Sequence, residues 1–167
     1  LKFGGETVSY VTCARVRVTV RDAQGREAEG WGETPLSVTW VWPSALSYEA
    51  RHDAMKEFCR RLGVAWAKFP ATGHPMEVGY DFQEHELPRL LAEFNASRTG
   101  LEPMPWLGAL VCCSLFDIAV HDAYGNLHGV PIYATYTAPW MTRTLADFLT
   151  PAAGADVSFA GKFPADF

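Results

Sequence analysis

The clearest pattern in the chain is an alternation. In "ARVRVTVRD", Val16, Val18 and Val20 fall on one face and Arg15, Arg17, Thr19 and Arg21 on the other. A period of two predicts a half-buried antiparallel strand. Residues 6–13, "ETVSYVTC", are rich in Thr, Val and Tyr and predict a strand before it. "DAQG", Asp22 to Gly25, is a turn, because Asp bonds its own backbone and Gly accepts positive φ. "REAEGWGET" then predicts a third strand. The expected unit is a three-stranded antiparallel meander with one wet face.

A long connection follows, Pro35 to Ser44, with Trp40, Val41 and Trp42 between prolines. Beyond it the period changes to that of helices. Ser44 or Ser47 can cap a helix in which Met55, Phe58, Cys59 and Leu62 recur at helical spacing. Gly63 is a candidate stop, although "VAWAKF" can extend the helix. Residues 71–87 look loop-rich with one short turn. "ELPRLLAEFNAS" predicts a short helix with Pro88 in its first turn. A last helix is predicted from near Leu107 to His128, ended by Gly129, Val130 and Pro131.

At 100° per residue, Val111, Leu115, Ile118 and Asp122 share one stripe of that last helix. Cys112, Phe116, Ala119 and Ala123 lie beside it, and Ser114, Asp117 and His121 lie opposite. The helix should therefore be buried around most of its girth. Asp122 needs a fixed hydrogen-bond partner or a cation, since an unpaired carboxylate in an apolar stripe is costly. Gly125 should let another element approach closely. Asp117, His121, Asp122 and His128 invite a metal reading, but Asp122 points away from Asp117 and His121, and no His-Glu-x-x-His motif is present. The expectation is a polar stripe on a core helix, with no metal site.

Composition narrows the classes. The chain has 167 residues, 49% hydrophobic and 20% charged, as expected of a globular domain. The net charge is −5 and no basic block exceeds a pair, so no nucleic-acid partner is expected. No signal peptide and no membrane span are read from the sequence. Cys13, Cys59, Cys112 and Cys113 show no CxxC spacing and are expected to be reduced, buried thiols of a cytoplasmic protein.

"DIAVHDAYGNLHGVPIY" resembles the last helix of the N-terminal capping domain in the enolase superfamily, mandelate racemase and muconate-lactonizing branch. Asp117, Ala119, Asp122, Gly125, Gly129, Pro131 and Tyr133 match that pattern in order. "GWGE", Gly30 to Glu33, matches the Gly-x-Gly-Glu of its third strand. The resemblance covers about residues 1–135. His121 stands where the family has Trp, and the Leu-Leu-Gly-Gly that follows the Tyr in the family is absent.

The resemblance implies an α+β fold, with the meander followed by a small helical bundle. Residues 1–131 would be the capping domain. Residues 132–167 would be a linker and the remnant of a TIM-barrel start, with a first strand around Ile132 to Thr137. It implies a parent lyase or isomerase (a dehydratase, racemase or cycloisomerase) that removes a proton α to a carboxylate with Mg²⁺. The barrel partner that carries catalysis would lie outside this chain, which would hold no cofactor and be inactive alone as a fragment. Gly4, Gly5, Trp40 and Trp42 are the candidate substrate-pocket residues. Gly30, Gly32, Glu33, Asp117, Asp122, Gly125, Gly129 and Pro131 are candidate structural residues. Self-association into a homo-oligomer fits apolar surface left exposed without the barrel. The alternative is a complete non-enzymatic α+β module that binds through the Trp40/Trp42 loop. A hydrolase built on Ser114, Asp117 and His121 is disfavoured, since three residues on one helix do not form a triad around a nucleophile turn.

Overall fold

The computed structural model describes residues 2–3, 6–7 and 10–167, the first two pairs as backbone only. The fold is α+β. β1 (Lys2–Phe3) and β2 (Glu6–Thr7) pair antiparallel as a small ladder of their own. β3 (Cys13–Arg21) and β4 (Glu27–Pro35) pair antiparallel along their whole length, with Cys13 opposite Pro35 and Arg21 opposite Glu27. The helices are α1 (Val38–Val41), α2 (Tyr48–Lys68), α3 (Pro75–Asp81), α4 (Leu87–Ala96) and α5 (Trp106–His128).

The expected three-stranded meander is a two-stranded sheet among the described residues. Of the expected first strand, 6–13, Glu6 and Thr7 pair with β1 and not with β3, residues 8–9 lie outside the described residues, and β3 begins only at Cys13. The turn at Asp22 is as expected, with the Asp22 carboxylate accepting from the Gln24 and Arg26 N–H groups at 2.9 and 2.8 Å.

The wet face of the hairpin is zipped by charge. Arg15 pairs with Glu33, Arg17 with Glu29 and Arg21 with Glu27. Each pair is exposed and contributes little alone. The other face meets α5, and Gly30 and Gly32 make that contact possible. A Cβ on Gly32 would sit 1.8 Å from the Leu115 carbonyl oxygen, and one on Gly30 would sit 2.1 Å from the Ala123 nitrogen. The strand backbone thus lies directly on the helix backbone, with small Ala119 and Ala123 beneath it. Val16, Val18 and Val20 are half-buried beside this seam.

α2 is capped by Ser47, whose hydroxyl accepts from the Ala50 N–H at 3.2 Å, and it runs on past Gly63 to Lys68. Buried Arg51 donates to the Trp42 carbonyl at 2.6 Å and fixes the α1–α2 corner. The stretch expected to be loop-rich is helical instead. α3 passes into a π-helical turn, Phe82–Glu86, and then into α4. Pro88 explains the wide turn: it has no N–H and crowds the carbonyl four residues back, which the added residue relieves. Phe82 inserts there and stacks on Trp66 at 4.1 Å. The core joins Met55, Phe58 and Leu62 of α2, Phe94 of α4 and Cys112, Leu115 and Phe116 of α5.

Among the described residues, α5 alone is long and apolar enough to cross a membrane by length and composition; the hairpin and α2 pack against it. It ends as expected. Gly129 is left-handed at φ 66°, its N–H meets the Asn126 carbonyl at 3.3 Å, and the Val130 N–H meets the Gly125 carbonyl at 3.1 Å. Ile132–Thr135, expected as a strand, is a 3₁₀ turn. Of the thiols, Cys112 and Cys113 are buried, Cys59 is half-buried and Cys13 is exposed, against the expectation that all are buried. Cys13 opens the sheet on its charged face, where alternation turns it outward.

The seam sets a stability prediction. Gly32→Ala should cost at least ~3 kcal/mol, because the clash is with backbone that cannot move aside. Gly25→Ala, at φ +81° with open space around it, should cost only ~1 kcal/mol. Urea unfolding of the two variants measures the difference, and similar losses would refute the seam.

Candidate functional site

Two places combine chemistry with geometry: a polar and aromatic cluster where α3, α5 and the C-terminal tail meet, and the exposed aromatics of β4 and α1. The cluster is built outward from α5. Asp117 and His121 lie one turn apart, as their spacing predicts, with Nδ1 of His121 3.7 Å from the Asp117 carboxylate. That nitrogen sits 2.8 Å from the Asp117 backbone carbonyl, so Nδ1 carries the proton. Burial pushes the Asp117 carboxyl up, with His121 opposing. Gly79 of α3 makes room for it, since a Cβ there would meet Asp117 Oδ1 at 2.2 Å.

His74 completes this side. Its Nδ1 accepts from the Met76 N–H at 3.2 Å and so caps α3. Its Nε2 must then hold the proton and donate to the Thr135 hydroxyl at 2.8 Å. Burial, reinforced by His121, lowers its pKa to about 4. Glu77 is buried too. Its carboxylate accepts from the Thr142 N–H at 2.6 Å and the Arg143 N–H at 2.8 Å, while Arg143 grips Asp81 at 2.6 and 2.8 Å. These bonds hold residues 135–143 onto α3. The rings of Tyr124, His128 and Trp140 fill the space beside them.

The other sequence candidates fall as follows. Asp122 is exposed rather than within an apolar stripe, but it has the fixed partner it needs, the Trp31 N–H at 2.8 Å. Asn126 accompanies it, donating to the Glu29 carbonyl at 2.9 Å. Together they cap the outer edge of β4. Glu33 is held by Arg15, whose hydrogen bond and charge keep its carboxyl below the usual range. Gly125 lies under the returning chain, 3.0 Å from the Val130 carbonyl oxygen by its virtual Cβ, and Pro131 follows the helix end. Ser114 spends its hydroxyl on the Val111 carbonyl at 2.9 Å, so no nucleophile faces His121. Gly4 and Gly5 lie outside the described residues.

Trp40 and Trp42, read together as pocket residues, are separated. Trp40 is 51% exposed and Trp42 is 1% exposed. The segment is a helical turn rather than a loop, which sends residues two apart to different sides. Trp42 donates from its indole to Glu102 at 3.3 Å and lies under the Arg98 guanidinium. The residue that sequence reasoning missed is Trp31, 54% exposed. It lines a shallow concavity with Arg15, Gly32 and Glu33, and Arg17 lies over its ring. The signal was available: if Gly30 and Gly32 face the helix, Trp31 must face out.

Among the described residues, no three or more His, Cys, Asp or Glu side chains converge as a metal ion requires. No family of known proteins, no curated protein and no solved structure matches this chain.

Above pH 6.5 His74 is neutral folded and unfolded; below it the unfolded chain takes up the proton first, down to about 4. Stability should fall across that window by about 1.4 kcal/mol per pH unit, about 3 kcal/mol in all. Asp117, with its raised pKa, pulls the other way at the acid end, so the comparison is with His74→Asn, which can keep the cap and should flatten the slope. Urea unfolding at several pH values reads it. Asp122→Ala should cost ~1–3 kcal/mol by stranding the Trp31 N–H, and Asp122→Asn should recover most of that, as thermal unfolding would show.

Proposed function

We propose that this chain is the substrate-capping domain of a Mg²⁺-dependent enzyme of the enolase superfamily, one that removes a proton α to a carboxylate. The observation that carries the reading is the seam between β4 and α5. The residues that bear the resemblance are scattered over the sequence, at Gly30, Gly32 and Asp122. In space they form one contact: two glycines admit the helix, and the carboxylate takes the N–H of the residue between them. Gly125 and Gly129 then turn the chain out of α5, the point where the resemblance expects a barrel to begin.

The described residues do not suit the magnesium ion itself. Asp117 faces His121, Asp122 is spent on Trp31 and Glu77 on the tail. No step of the reaction is therefore assigned to this chain. Its contribution is shape and exclusion of water, for which closing elements are used. Trp40 is the exposed aromatic best suited to cover a small carboxylate-bearing substrate. Trp42 is withdrawn from that role by its burial, which also leaves a stand-alone binding module only half of its aromatic surface. The cytoplasm suits this reading, with all four cysteines free thiols.

The test uses the full-length product of the gene that encodes this sequence. With Mg²⁺ in D₂O it should exchange the α-proton of a carboxylate substrate. Trp40→Ala should raise KM or shift substrate preference about tenfold, while Mg²⁺ affinity stays within about twofold. Turnover by the 167-residue chain alone would overturn the reading.

A further inference from the structure

Three of the four thiols gather where α2 crosses α5. The contact is reciprocal. Cys112 Sγ on α5 lies 3.6 Å from the Met55 carbonyl oxygen on α2, and Cys59 Sγ on α2 lies 3.9 Å from the Cys112 carbonyl oxygen on α5. Met55 and Cys59 are one turn apart, so the two sulfurs reach past each other toward the opposite helix. Within α2 the Met55 carbonyl takes the Cys59 N–H, so each sulfur lies against the other cysteine's own stretch of backbone. Neither is needed there as a polar group, since small apolar side chains would fill the same space.

The pair is asymmetric. Cys59 sits at the edge of the core, half-exposed, with Arg60 beside it. Cys112 is fully buried. The neighbouring Cys112 thiol holds the Cys59 thiol below its ordinary value, with Arg60 adding to the effect. The proximity of Cys59, with burial, pushes the Cys112 thiol up. One sulfur is thus the accessible nucleophile and the other keeps its proton until needed, a division suited to a thiol pair that is oxidised in two steps. Cys113 does not share this arrangement. It points about 100° away around the helix, and burial pushes it up to about 12.

We propose that Cys59 and Cys112 form a reversible disulfide that staples α2 to α5, with a hydroperoxide as the oxidant. The Cys59 thiolate attacks the O–O bond, giving the sulfenic acid and releasing an alcohol, or water when the oxidant is hydrogen peroxide. Cys112 then attacks the sulfenic sulfur, the S–S bond forms, and its proton leaves with the hydroxyl as water. The sum is two thiols and one hydroperoxide giving one disulfide, one alcohol or water, and one water. A dithiol reductant reverses it by exchange. The bond closes a long loop through α3, α4 and the tail's docking site, so its main effect is to restrict the unfolded chain.

The whole chain, reduced and at low micromolar concentration, is treated with stoichiometric hydrogen peroxide, alkylated and digested without reductant. The expected product is a cross-linked peptide pair carrying Cys59 and Cys112, two hydrogens lighter than the dithiol. The unfolding midpoint should rise by several degrees and return with dithiothreitol. Cys59→Ser should abolish both effects. In Cys112→Ala, which keeps the core apolar, Cys59 should stop at a sulfenic acid that dimedone traps. Exposed Cys13 reports that oxidant was delivered. The proposal is overturned if Cys59 joins Cys113, if Cys59 is oxidised while Cys112 remains a free thiol, or if both survive peroxide that oxidises Cys13.

Discussion

The structure depends on one close approach, the backbone of β4 lying on the backbone of α5. A strand and a helix ordinarily stand apart by the length of the side chains between them. Here Gly30 and Gly32 remove two side chains, and Ala119 and Ala123 supply small ones. Everything about the hairpin follows. With glycines inward, Trp31 and Glu33 must point out, so the outer face becomes the Arg-Glu ladder with one tryptophan in it. With the helix against the strand edge, Asp122 and Asn126 reach the Trp31 N–H and the Glu29 carbonyl, groups that a neighbouring strand would otherwise take. β4 thus has a partner on both edges. β3 has one only, and its far edge is unpaired among the described residues.

A second set of interactions does for the tail what the seam does for the hairpin. His74, Glu77 and Asp81 lie along one short segment, and each binds a different point of residues 135–143. Buried charge is expensive unless every oxygen and nitrogen is met. Glu77 meets that condition with two backbone N–H groups and a hydroxyl. His74 meets it by staying neutral, with one nitrogen accepting and the other donating. These groups resemble catalytic machinery only when taken as a list of residue types. Their bonds show fasteners that hold the tail to α3.

What the sequence made legible was local. The alternation of β3, the Asp22 turn, the Ser47 cap and the left-handed Gly129 each need only a few neighbours to be read, and each stands as expected. The i, i+4 relation of Asp117 and His121 is equally local. The failures have two causes. One is composition without position: the run from Glu6 to Arg21 has strand-forming residues throughout, which does not show where one strand ends and the next begins. The other is distance. His74 and Thr135 are 61 positions apart and Glu77 and Thr142 are 65, so no periodicity links them. The helix with Pro88 in its first turn was local too and stands as expected, whereas the π-helical turn before it depends on how α3 runs into α4.

The placement of rigidity bears on function. α5 has the hairpin fixed to one side by backbone contact and α2 to another through a core that includes Cys59 and Cys112. Neither junction can slide by a fraction of a residue, because glycines set the first and interlocked aromatic and sulfur groups the second. Motion, where a capping element needs it, must then arise outside these junctions. The short α1 qualifies only in part: Val38, Val41 and Trp42 are buried, and Arg51 ties its end to α2. What remains free to adjust is Trp40, a single large side chain on an otherwise anchored turn. Under the proposed capping role, such a chain would present a fixed surface with an adaptable ring at Trp40.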